Sequence, residues 1–256
     1  MGAMAMTMLA LGALWGAWAG VCALAERRNP RPGDPLAGLA ALIVRVYARV
    51  LHRVRFEGLE HVPSWRPGDE PAGPLVVVAN HSAGVDPLLI QAACGFEVRW
   101  MMMRMMMVPA MAGLWDWAGI IAVEQNGRDT RAVREALRHL EGGGVLGIFP
   151  EGEIARPPGT VMEFQPGVGL IVGKSGAPVL VAVIEGTPSG VHAFASLFTP
   201  SRARVRFLGV VRYAPRTSPG AIAADLRARV MGALGWGPSP EVHQPTGMAG
   251  GSGAAG

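Results

Sequence analysis

Cysteine is nearly absent. Cys22 and Cys94 are the only two in 256 residues, too few for a disulfide framework and too widely separated for metal-ligand spacing. A reducing compartment is compatible, and no cysteine-based metal centre is expected. Lysine is scarcer still, because Lys174 is the single lysine among 23 basic residues. The arginines that carry the rest of the positive charge are dispersed, without the dense run that grips nucleic acid. Against 19 acidic residues they leave a net charge of +4, which suits anionic lipids or phosphate-bearing substrates and equally an ordinary basic enzyme. Charged residues are 16% of the chain while half of it is hydrophobic. That balance excludes a disordered chain and supplies one substantial core.

Long charge-free runs are also rare, with one exception. Met1 to Ala25 has no charged residue and is followed at once by Glu26, Arg27 and Arg28. At about 1.5 Å per residue, a helix of this length reaches across a hydrocarbon core of roughly 30 Å. Its richness in Ala and Gly leaves open whether it crosses the bilayer or lies in its surface. Ala23-Leu24-Ala25 resembles a signal-peptide cleavage site, but the positive charge follows the apolar stretch instead of preceding it. An uncleaved anchor is expected, and the positive-inside rule then puts the catalytic part on the cytoplasmic face of the membrane. After a Pro/Gly-rich link, Leu36 to Arg53 reads as a second helix with Arg45, Arg49 and Arg53 at four-residue spacing. Such a helix either rests among lipid headgroups or carries a solvated basic face. The expected organisation is an apolar anchor (1–28), an interfacial helix and linker (29–54), a catalytic domain (55–237) and a Gly/Ser/Ala-rich disordered tail (238–256).

From Phe56 onward, short apolar runs alternate with Gly/Pro-punctuated helical stretches, the pattern of an α/β architecture. Strands are expected at Leu75–Ala79, Val98–Met102, Ile120–Val123, Val145–Phe149, Val179–Ile184 and Arg204–Leu208. Helices are expected at Asp86–Cys94, Pro109–Trp117, Asp129–Leu140, Gly167–Ser175 and Pro219–Leu234.

Two of these strands end in chemistry. Leu75-Val76-Val77-Val78-Ala79 runs into Asn80-His81-Ser82-Ala83-Gly84-Val85-Asp86-Pro87, which places polar groups at the carboxyl end of a buried strand. A carboxylate at Asp86 can accept the His81 Nδ1 proton across the turn and leave Nε2 as a base. Asp86 is equally suited to cap a helix whose first residue is Pro87. The second strand ends in Phe149-Pro150-Glu151-Gly152, which holds Glu151 on a stiff corner as a substrate ligand, a loop organiser or an exposed turn residue. Ser82 after a strand also looks like a nucleophile elbow, for which Asp225 and His192 are available, but Asn80 occupies a position where an elbow needs a small residue.

Together the two blocks resemble the phospholipid/glycerol acyltransferase family. Asn80, His81 and Asp86 match its N-H-x-x-x-x-D motif, and Phe149-Pro150-Glu151-Gly152 matches its F-P-E-G motif. Similarity extends over about Arg55 to Thr187, through Gly119 to Gln125, Phe164-Gln165-Pro166-Gly167 and Ala177 to Val183. The resemblance implies a mixed central sheet flanked by helices and direct transfer of an acyl group from a thioester to a lysophospholipid hydroxyl. His81 is then the base, oriented by Asp86. No cofactor and no metal are implied, and acyl-CoA or acyl-acyl carrier protein acts as co-substrate; membrane lipids are the partners. Asn80, Glu151 and Gly152 are expected to hold the acceptor.

The chain departs from the family where phosphate is bound, since Gln125 stands at a usual arginine and Glu153-Ile154 replaces Thr/Ser-Arg. Glutamine lacks the charge and the fork of a guanidinium, which leaves Arg128 and Arg156 as candidates for that role. Ala182 replaces a proline. A non-catalytic lipid-binding relative is the remaining alternative. The methionine run Met101 to Met107, broken by Arg104, is expected to pack in the core or face the membrane, and Trp115 and Trp117 to mark a membrane edge or ordinary core.

Overall fold

The computed structural model describes residues 2–64, 73–124, 129–189 and 192–240. Its strands are β1 (Arg55–Glu57), β2 (Leu75–Val78), β3 (Arg99–Met103), β4 (Ile121–Val123), β5 (Val145–Ile148), β6 (Thr160–Val161), β7 (Val179–Glu185), β8 (Arg204–Val211) and β9 (Gly237–Pro238). Its helices are α1 (Gly2–Arg27), α2 (Pro35–Val50), α3 (Asp86–Ala93), α4 (Ala112–Trp117), α5 (Thr130–Glu141), α6 (Pro166–Ser175), α7 (Ala193–Ser196) and α8 (Pro219–Leu234). Seven strands make one sheet in the order β1-β8-β7-β2-β5-β3-β4. Every neighbouring pair is parallel except β7 with β8, so the sheet is mixed.

The central strands are apolar throughout because both faces are covered. Val76, Val78, Val179, Val181 and Val183 pack against α5, α6 and α8. Leu75, Val77, Leu180, Ala182 and Ile184 pack on the other face, against α2 and α3. Each valine, leucine or isoleucine among them, fully buried, contributes on the order of 1.5–3 kcal/mol, and this double layer makes β2, β5 and β7 a stiff platform for the loops that follow them.

The expected elements are present with small shifts. Pro109–Met111 forms a 3-10 turn before α4. The three-residue β1 was not expected as a strand, nor were the short β6–β9 pair and α7. Gly237–Pro238 pair with Thr160–Val161, and Ser239 N donates to Val161 O at 3.0 Å, so residues assigned to the tail are part of a sheet. Residues 241–256 of that tail lie outside the described residues.

The front end differs from its expected form in one detail. Helix α2 stops at Val50 and Arg53 has a left-handed φ of 42°, so only Arg45 and Arg49 share a helical face. Leu36, Leu39, Ile43, Val46 and Val50 of α2 are all exposed, and their alternating three- and four-residue spacing makes one apolar stripe. In α1 the exposed residues include Leu9, Leu14, Trp15 and Trp18. Met6–Arg27 is the one segment among the described residues long and apolar enough to cross a membrane. The link between the two helices is firmly tied. Arg31 pairs with Glu97 and, at 3.1 Å, with Asp34, while the Trp117 indole donates to Asp34 at 3.0 Å. Trp117 therefore has a joining role. Met101 to Met103 are half-buried in β3, and Met105 is exposed.

Candidate active site

Strands β2 and β5 lie side by side, and the chain leaves them on opposite faces, β2 toward α3 and β5 toward α6. Such a divergence opens a crevice at the carboxyl ends of the strands. His81 stands there, with its Nδ1 3.0 Å from Asp86 Oδ2. Asp86 is 0% exposed, whereas the His81 side chain is 18% exposed. The carboxylate accepts the Nδ1 proton, which leaves the Nε2 lone pair free, and Nε2 has no hydrogen-bond partner among the described residues. The imidazole is held face-on as well. It stacks on Phe149 at 4.3 Å between centroids, and Phe149 stacks on Trp100 at 4.8 Å. Trp100 is paired in register with Gly147, where a Cβ would stand 2.4 Å from the indole; the bare glycine makes room for the stack.

Asp86 does not cap α3. The cap position is Val85, which makes no side-chain bond, and the Asp86 carboxylate turns back to accept Ser82 N at 2.7 Å and Ala83 N at 2.9 Å. Three donors converge on Oδ2, which fixes the loop and the imidazole through one atom. The far side of the loop is braced by α7. Ser196 Oγ accepts Val85 N at 3.1 Å, and a Cβ on Gly84 would come within 2.4 Å of Ala193 O.

Glu151 is 0% exposed. One carboxylate oxygen accepts His81 N at 2.7 Å, the other accepts Met162 N at 2.8 Å. Burial pushes its pKa up to about 7, against the pull of those two N–H donors and of His81. In return Ala155 N donates to His81 O at 2.9 Å, so the two loops are laced across the crevice. Arg227 of α8 donates to the carbonyls of Met162 and Val161 at 2.8 and 3.1 Å, steadying the strand that meets Glu151.

Asn80 is 1% exposed, and its amide both donates to Ile184 O and accepts Ile184 N at 2.8 Å. It extends β2 pairing to β7 through a side chain. Asn80 and Glu151 thus lie beneath the crevice as its framework. Gly152 is exposed with a φ of 78°, and Arg156 is half-buried in the same loop. Gln125 and Arg128 lie outside the described residues. Trp100, Met162, Ser196 and Arg227 were not singled out from sequence; their partners are distant in the chain and no local pattern marks them. Among the described residues no cluster of metal-ligating side chains occurs.

Ser82 Oγ lies 3.1 Å from the Asn80 amide nitrogen and has no hydrogen bond to a histidine among the described residues. Ser82→Ala is therefore expected to keep acyltransferase activity within about threefold, since a serine nucleophile needs an adjacent base. A loss in kcat as deep as that of a His81 variant would restore the hydrolase reading.

The sequence profile of the Acyltransferase family matches residues 53–185, more than half of the chain, and includes His81, Asp86, Glu151 and Gly152. The chain belongs to the acyltransferase family. Among solved structures it is similar to the crystal structure of the 1-acyl-sn-glycerophosphate (LPA) acyltransferase PlsC from Thermotoga maritima, with a TM-score of 0.63 and 21% identity, over 79% of this chain and 82% of that one. No curated protein matches the chain by sequence.

Proposed function

We propose that this acyltransferase moves a fatty acyl group from the thioester of coenzyme A or acyl carrier protein to the free hydroxyl of a lysophospholipid, with His81 as general base. The observation that carries this reading is the His81 Nδ1–Asp86 Oδ2 contact of 3.0 Å, with Nε2 unpartnered among the described residues. Nε2 takes the proton of the acceptor hydroxyl, and the oxygen attacks the thioester carbonyl carbon. When the carbon–sulfur bond breaks, the imidazolium returns the proton to the departing thiolate. Buried Asp86 stabilises the intervening positive charge.

The solved relative is a 1-acyl-sn-glycerophosphate (LPA) acyltransferase, and the same acceptor class is proposed here. Gly152 and Arg156 are the candidate acceptor contacts of the Glu151 loop, with Gln125 and Arg128 as the other candidates. The exposed apolar faces of α1 and α2 support action at a membrane surface, where a single-chain lipid resides; the cytoplasmic face is the proposed side.

Purified enzyme given oleoyl-CoA or oleoyl-acyl carrier protein and lysophosphatidic acid is expected to release thiol and form diacyl phosphate lipid in equal amounts. Thiol release without diacyl product would replace transfer with hydrolysis. No turnover with any lysophospholipid would end the acceptor assignment.

A further inference from the structure

Away from the crevice, a cavity of about 290 Å³ is lined by Arg27, Arg28, Arg45 and Arg49, with Phe56 and Gly95 among its other walls. It forms where the end of α1, the second half of α2 and the last turn of α3 meet. His81 lies beyond the other end of α3, an eight-residue helix about 12 Å long. Among the described residues no carboxylate lines the cavity. Arg31 shows the usual arrangement in this region, paired with Glu97 and Asp34. None of the four cavity arginines has an ion pair among the described residues.

Arg45 is the fixed member. Its Nη2 donates to Cys94 O at 2.7 Å, which aims the guanidinium, and its Nη1 is buried without a hydrogen-bond partner among the described residues. Burial, with the charges of Arg28 and Arg49, holds its pKa below the ordinary arginine value. Four like charges around one concavity repel, and a buried N–H without an acceptor is unfavourable. An anion with several oxygens offsets both terms, and the guanidinium fork matches phosphate geometry. The apolar stripe of α2 runs along the helix that carries Arg45 and Arg49, which puts the cavity at headgroup depth when that stripe meets lipid.

We infer that this cavity is a second, non-catalytic site for a phosphate group, supplied by an anionic lipid headgroup or by free phosphate; the lipid source rests on the membrane-surface reading above, the phosphate chemistry does not. The full chain in non-ionic detergent is titrated calorimetrically with dioctanoyl phosphatidylglycerol and, separately, with inorganic phosphate. Saturable binding of either is expected, weakened at least about tenfold in the Arg28→Gln/Arg49→Gln double variant. Both side chains are exposed and make no hydrogen bond among the described residues, so an unchanged melting temperature is expected to accompany the loss. Binding of the lipid alone assigns the headgroup; binding of inorganic phosphate assigns the free anion. Absence of binding by both, or equal binding by wild type and double variant, overturns the site. Vesicle flotation after a high-salt wash reads the membrane association separately. A chain that floats but shows no arginine-dependent binding sinks the phosphate site alone, whereas one that binds phosphate without floating leaves it standing with a soluble ligand.

Discussion

His81→Ala is expected to lower kcat by about 10²–10⁴-fold with a much smaller change in KM, because in the proposed mechanism the lost group acts on the proton in flight and not on the bound lipid. The substitution removes a partly exposed ring, and its structural cost is the stacking on Phe149, about 0.5–1.5 kcal/mol beyond area burial. Folding is therefore expected to survive, and circular dichroism with a thermal melt checks it. Asp86→Asn probes the second half of the pair. An asparagine can keep its one acceptor oxygen for the three donors gathered on Oδ2, but it offers no charge to an imidazolium and puts a buried amide NH2 where Oδ1 has no hydrogen-bond partner among the described residues. Its kcat is expected to fall comparably, with a lowered melting temperature because the side chain is fully buried. A His81→Ala enzyme that turns over within a few-fold of wild type, while correctly folded, would remove the imidazole from the mechanism.

The sequence made some of this arrangement readable and hid the rest for a physical reason. The run Leu75 to Ala79 is apolar at every position, which a strand buried on both faces requires, and the switch to Asn80 and His81 marks its carboxyl end. The His81–Asp86 contact spans five residues and follows from local chain geometry. Glu151 is different. One of its partners is 70 residues away and the other 11, so an organising role and an exposed turn looked alike in the sequence. The pairing of Asn80 with Ile184 is hidden for the same reason, since the two are 104 residues apart. The Trp100–Gly147 pairing depends on sheet order, which no window of sequence contains. Strand β1 escaped notice because its three residues are exposed, half-buried and exposed at a sheet edge, too short a pattern for period-two alternation to register.

Glu151 carries the other large effect. Glu151→Ala leaves the backbone N–H groups of His81 and Met162 without their acceptors, at about 1–3 kcal/mol for each donor that stays buried. Removing a buried carboxylate returns part of that cost, since burial in the folded protein pushes the carboxyl up to a pKa of about 7 from its ordinary value of 4.5. The net expectation is destabilisation by a few kcal/mol and an activity loss well beyond what unfolding explains, because the His81 backbone loses an anchor. Glu151→Gln retains one acceptor and strands one donor, so it is expected to fall between wild type and alanine. The pH dependence carries a definite sign. A carboxyl whose folded pKa is raised adds stability that is fully present below about pH 4.5 and lost as the pH rises through about 7. The melting temperature of wild type relative to Glu151→Gln is therefore expected to decline from about pH 5 to about pH 7 and then level off. Activity runs the other way: below about pH 7 the protonated carboxyl serves His81 N and Met162 N less well, and an acid-side fall in kcat is expected. A melting difference that stays constant across this range would show that Glu151 does not titrate there, and the raised pKa and the acid-side fall in kcat assigned to it would have to be given up.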